Sequence, residues 1–232
     1  MTSFHLKLIA LITMFIDHIG GVIFPNHFWI RYIGRLSFPI YAFLISEGLK
    51  KSSNIKIYLR NLVILAFISE LFYDICFNTN INLFYKTNTI YTLFFASFSI
   101  YLYNKCNNLL ILFLGIFLSY ILKTDYNFLG VSLIYIFYFC YNKTQYWTYG
   151  LLWVTIRYST NLITIIYSIF EKNIILSNAY IEKSLSLYFF TIIPFFIIFF
   201  YNGKRGKNIK YTFYILYPLH LAILCIIKLF IL

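Results

Sequence analysis

Apolar stretches recur along this chain from one end to the other, and only short polar turns separate them. They run at about 6–24, 30–49, 57–77, 89–103, 108–122, 128–141, 146–170, 185–201 and 211–231. A helix needs about 20 apolar residues to cross a bilayer, so nine spans consume roughly 180 residues. Little remains for a soluble domain, and any chemistry must sit inside the bundle or at its mouths. The pattern predicts an all-α polytopic membrane protein, a bundle of about nine transmembrane helices (eight to ten) forming a single domain over 1–232.

Composition agrees with that reading. The chain is 61% hydrophobic and 11% charged, against about 45–50% and about 25% in an average globular protein. Seven acidic residues are too few to solvate a globular surface. A soluble enzyme, a secreted disulfide scaffold and a disordered chain are excluded together. The net charge of +12 then reports orientation in the bilayer rather than a nucleic-acid partner. Cys76, Cys106, Cys140 and Cys225 lie in or beside different apolar stretches with no CxxC spacing. Neither a metal cluster nor a disulfide framework is expected from them.

Polar residues mark the turns at Pro25–Asn26, Lys50–Asn54, Asn78–Asn82, Asn104–Asn108, Lys123–Asp125, Asn142–Lys143 and Asn202–Asn208. Two loops are strongly basic: Lys50, Lys51, Lys56 and Arg60 in one, and Lys204, Arg205, Lys207 and Lys210 in the other. Short basic loops stay cytoplasmic, so an even number of spans must separate them. The stretch 146–170 must therefore cross an odd number of times, most simply once, with a possible break near Ser159–Asn161. The result is a multi-pass protein of the cell membrane with a cytoplasmic N-terminus and nine spans.

Ionisable groups within spans are costly and face the bundle interior or a water-filled cavity. Here they concentrate in the first third of the chain. Asp17 and His18 sit in the outer half of the first span. Arg31 and Arg35 are four apart and predict a shared helical face, suited to an anion or to pairing with carboxylates. Glu47 lies further down the second span, and Glu70 and Asp74 are four apart on the third. His220 falls within the last span. A buried histidine suits general-base work, because its unperturbed pKa lies near the operating pH. Arginines suit a phosphate or carboxylate substrate. An acyltransferase using a CoA thioester needs both kinds of group, and a proton-coupled transporter needs much the same inventory. A structural assembly protein with static ion pairs, such as Arg35 with Glu70 or Asp74, is the third reading.

Several blocks resemble the TraX family. They are Leu-Lys-Leu-Ile-Ala-Leu-Ile-Thr-Met-Phe-Ile-Asp-His-Ile-Gly at 6–20, Arg-Tyr-Ile-Gly-Arg-Leu-Ser-Phe-Pro-Ile-Tyr-Ala-Phe-Leu-Ile-Ser-Glu-Gly at 31–48 and Ile-Ser-Glu-Leu-Phe-Tyr-Asp at 68–74. Thr124, Asp125, Tyr126 and Gly130 continue the match, with Tyr-Asn-Gly-Lys-Arg-Gly at 201–206 and Phe-Tyr-Ile-Leu-Tyr-Pro-Leu-His-Leu at 213–221. The blocks keep the family's order, while 80–120 and 143–190 match only in hydrophobicity. The resemblance implies an integral membrane acetyltransferase of the pilin N-acetylase type, related to the acyltransferase-three and heparan glucosaminide acetyltransferase groups. Those groups take acetyl from cytoplasmic acetyl-CoA and use a membrane-embedded histidine near the first helix; acetyl-CoA is thus the expected donor here, and no metal is expected. It further implies that His18 is the general base or a transient acyl carrier, with Asp17 orienting it. Arg31 and Arg35 become anion contacts for the donor, and Glu47, Glu70, Asp74, Asp125 and His220 line the site. The implied acceptor is an amine of a pilin-like peptide or a hydroxyl of an envelope glycan. Because His18 is expected near the outer side and the donor is cytoplasmic, a tunnel through the bundle must join them.

Overall fold

The computed structural model describes residues 1–77, 86–170, 177–207 and 210–231. Within them the chain is all helix and turn, with no strand. The expected turn at Asn78–Asn82 and the Asn208 end of the last turn lie outside the described residues. The helices are α1 (Ser3–Val22), α2 (Phe28–Gly34), α3 (Ser37–Lys51), α4 (Ile55–Phe77), α5 (Thr89–Cys106), α6 (Leu110–Ile121), α7 (Asn127–Phe139), α8 (Lys143–Arg157), α9 (Ser159–Phe170), α10 (Asn178–Phe199) and α11 (Lys210–Ile231). Among the described residues, three stretches are long and apolar enough to cross a membrane on length and composition: α1, α10 and Thr212–Phe230 of α11.

Helix α4 shows the solvent for which the bundle is built. Ile64, Phe67, Ile68, Leu71 and Ile75 are exposed, at the spacing of one helical stripe. Its opposite face buries Ser69, Glu70, Tyr73 and Asp74. A water-soluble helix turns its apolar stripe inward; this one turns it outward, as a helix bathed in lipid does.

Helix α3 occupies the centre, packed against α1, α5, α7 and α10. Its Phe38, Ile40, Ala42 and Phe43 are almost wholly buried, as are Ile134 and Phe137 of α7. The second predicted span is not one helix. It breaks between α2 and α3 at Arg35–Leu36, four residues before Pro39, whose ring clashes with the carbonyl at that distance and removes its hydrogen bond. Arg31 and Arg35 therefore flank a helix end instead of sharing the face of a continuous span. Gly34 lets this break sit tightly on α1, because a Cβ there would run into the Asp17 side chain. The 146–170 stretch breaks at Tyr158, just before the predicted place. It remains nearly helical, with the Tyr158 amide donating to Val154 and the Leu162 amide to Tyr158.

The two basic loops meet at one end of the bundle. Lys51 Nζ donates to the Gly203 carbonyl at 3.2 Å. The first amides of α1, which have no partner within the helix, donate from Ser3 to Lys204 O at 2.9 Å and from Phe4 to Arg205 O at 3.1 Å. Gly206, at φ +73°, crosses so close to Thr2 and Phe4 that no side chain fits. Lys143 at the start of α8 lies over the Phe199 ring at the end of α10, at this same basic end. Lys183 near the start of α10 lies over Phe28 of α2 at the far end. Helix α8 runs from the basic end, at Lys143, to Arg157 over the ring of Tyr126, beside Asp125.

Candidate functional site

A cavity of about 490 Å³ runs along the inner face of α1. Ser3, Lys7, Met14 and His18 line it, at spacings of four and seven that keep them on one face of a helix. The basic end of the cavity is formed by Lys7, Lys51, Ser52, Ser53 and Arg205. Its far end holds Asp17, His18, Thr89, Asp125 and Tyr126. The walls between are largely apolar and aromatic, from Leu44, Leu62, Leu93 and Phe213 among others, with Tyr41 and Tyr217. Lys7 and His18 are eleven residues apart, about 16 Å along the helix.

His18 does not stand alone. Its Nδ1 lies 2.7 Å from Nε2 of His220, and the rings stack at 13°. His220 Nδ1 is 3.0 Å from the Leu216 carbonyl. A carbonyl only accepts, so His220 carries its proton on Nδ1 and, when neutral, offers a lone pair at Nε2. His18 must then donate from Nδ1, which leaves the lone pair of His18 at Nε2. Phe77 packs edge-on against His18 and Phe15 stacks on His220, so both rings are held on more than one side. The pair joins α1 to α11 across 202 positions of sequence.

Asp17, expected to orient His18, does something else. Its carboxylate meets Arg31 Nε at 3.5 Å and interacts electrostatically with Arg35. The side chain in contact with His18 is His220, because neighbours on a helix point about 100° apart and Asp17 faces Arg31 of α2 instead. Arg31 and Arg35 stand at the far end, away from the basic mouth. Arg35 interacts with Asp17, Asp125 and Tyr126, and its buried Nε has no hydrogen-bond partner. Of the expected pairings of Arg35 with Glu70 or Asp74, the one with Glu70 is not formed among the described residues, where Glu70 holds Asn88 instead.

Glu70 and Asp74 are buried in α4 and neither is among the residues lining the cavity. Glu70 Oε2 accepts from the backbone amide of Asn88 at 3.0 Å and from its side-chain Nδ2 at 2.6 Å. Asn88 in turn caps α5, accepting from the Ile90 amide. Glu70 thus fixes how α5 starts against α4. Glu47 does line the cavity, at the basic mouth, where it pairs with Lys51. Asp125 sits in the turn before α7 with Lys86 Nζ at 2.8 Å and Thr89 Oγ1 donating at 3.1 Å. Burial works to raise its pKa, but Lys86, Arg35 and the Thr89 hydroxyl outweigh that and hold the carboxyl below the usual carboxylate range.

Sequence reading therefore brought Asp17, His18, Glu47 and Asp125 to one cavity, with His220 directly behind His18. It missed the cationic mouth of Lys7, Lys51 and Arg205, because Lys51 and Arg205 carried a signal that was spent on topology. Lys7 gave its own signal, one helical face with His18 at a distance of eleven residues.

The chain matches the TraX protein family over residues 3–228. It is 28% identical to a protein of Dichelobacter nodosus named probable fimbrial assembly protein FimC, serogroup H1, across 99% of this chain and 96% of that one. No solved structure gives a significant match. With a match that takes in α1 through α11, including the helices that carry His18 and His220, the chain belongs to the TraX family.

Proposed function

We propose that this protein is a nine-span membrane acetyltransferase, with its basic end and N-terminus on the cytoplasmic side, that moves an acetyl group from acetyl-CoA to an amine. The observation that carries the reading is His18, which keeps an acceptor nitrogen at Nε2 and lines a cavity whose other end is cationic. The short basic loops at that end favour the cytoplasmic assignment. Lys7, Lys51 and Arg205 suit the phosphates of the donor, and the tunnel from Lys7 to His18 is comparable in length with an extended pantetheine arm. This assignment moves the donor contacts away from Arg31 and Arg35, which hold Asp17 and Asp125 at the acceptor end.

The donor supplies an acetyl thioester. His18 Nε2 accepts the proton that the acceptor nitrogen sheds as its bond to the acetyl carbon forms. The carbon–sulfur bond breaks, and the thiolate leaves toward the basic mouth. His220 keeps the His18 ring in register and, through Leu216, in the tautomer that can act as base. The name of the Dichelobacter relative, a fimbrial assembly protein, favours the N-terminal amine of a pilin-like peptide over an envelope glycan as acceptor.

Labelled acetyl-CoA and membranes containing the protein test the donor. Wild type transfers label, and Lys7→Glu raises the donor KM several-fold without a matching loss of kcat. A folded His18→Ala protein with full transfer overturns the reading. Intact-mass comparison of envelope peptides and glycans, with and without the protein, tests the acceptor: one acetyl group on a peptide N-terminus supports the amine, and one on a glycan replaces it.

A further inference from the structure

Cys76 and Cys225 are 149 positions apart, yet their Sγ atoms lie 2.8 Å from one another. Both are buried, at 4% exposure, with Val22 and Leu224 closing the contact. Cys225 Sγ also reaches the Phe72 carbonyl at 3.0 Å. Nearby, Lys228 Nζ donates to the Ile75 and Cys76 carbonyls at 2.9 and 2.8 Å, so the end of α11 is already clamped to the end of α4.

The four cysteines divide by end of the bundle. Cys106 closes α5 and Cys140 follows α7, where Lys50 donates to its carbonyl at 2.9 Å; both are at the basic end. Cys76 and Cys225 are at the far end. Disulfides persist outside the cytoplasm and are reduced within it. With the basic end cytoplasmic, the two thiols that touch are the two on the oxidising side.

We propose that Cys76 and Cys225 form a disulfide in the mature protein, tying α4 to α11 and so holding His220 behind His18. This rests on the orientation given above. The oxidant is a disulfide-bearing compound or oxidase of the extracytoplasmic face. One thiol loses its proton and attacks the oxidant's disulfide, expelling a thiol. The second sulfur then displaces the remaining thiol, so the oxidant ends as a dithiol and the Cys76–Cys225 bond forms.

Trapping in cells tests it. Free thiols are blocked with N-ethylmaleimide during lysis in denaturant, the sample is reduced, and newly freed thiols take a polyethylene-glycol maleimide. Two labels are expected, mapping by peptide mass to Cys76 and Cys225, and none in Cys225→Ser. No label after reduction, or labels at another pair, overturns the disulfide. A membrane-impermeant maleimide added to intact cells checks the orientation separately. Cys106, which is exposed, should stay unlabelled, and labelling it overturns the orientation rather than the chemistry of the pair.

Discussion

Two of the buried polar pairs among the described residues differ in what they leave open. His18 and His220 join α1 to α11 at 2.7 Å; Glu70 and Asn88 join α4 to the start of α5 at 2.6 Å. Both join one helix to another and both are costly to bury within a membrane bundle. They differ in what remains after the pair has formed. His18 keeps one acceptor nitrogen and lines the cavity. Glu70 turns Oε2 to the cap of α5 and its buried Oε1 has no hydrogen-bond partner, away from the cavity. Under the proposed function, the buried ionisable residue that can react is the one that keeps a lone pair beside the cavity.

The contrast can be broken most directly at His18. Substituting Ala should lower acetyl transfer by about 10²–10⁴-fold, the usual worth of a positioned base, while the protein still extracts as a folded monodisperse species. His220→Ala should cost about 10²-fold through misplacement of the ring. That loss should appear in kcat and in the pH profile, with donor KM unchanged; a merely structural His220 would lower the yield of folded protein and leave kcat alone.

Glu70→Ala should reverse the pattern. It strips the acceptor from two Asn88 donors and should destabilise by about 1–3 kcal/mol, read as a lower thermal midpoint in detergent. Activity per folded molecule should hold, and Glu70→Gln, which keeps an acceptor, should recover most of the stability. A Glu70→Gln protein that folds but transfers nothing would erase the distinction between the pairs.

The smallest expected effect is at Asp125. Its folded pKa is held below the usual carboxylate range, so its contribution to stability is complete above the unfolded value and is lost as pH falls through the folded one. Wild type should lose stability below about pH 4 more than Asp125→Asn does. Because the pair with Lys86 is partly exposed, the difference should be at most about 1 kcal/mol. Equal acid sensitivity in the two proteins would remove Lys86–Asp125 from the far-end network.

The apolar stretches and the scarcity of charge determined, by themselves, that the chain folds as a helical bundle for lipid, since no other solvent tolerates that surface. They also exposed the few ionisable residues worth attention, and Asp17, His18, Glu47 and Asp125 meet at one cavity. Pro39 and Gly34 carry the break in the second span in plain view, but the apolar run through them hid it. What only the tertiary structure decided is pairing. His18 with His220, Glu70 with Asn88 and Cys76 with Cys225 depend on which helix faces ended up together. Periodicity along one helix reports which face is buried. It does not say which neighbour buries it, because in lipid every apolar face satisfies its surroundings equally well and the choice falls to packing.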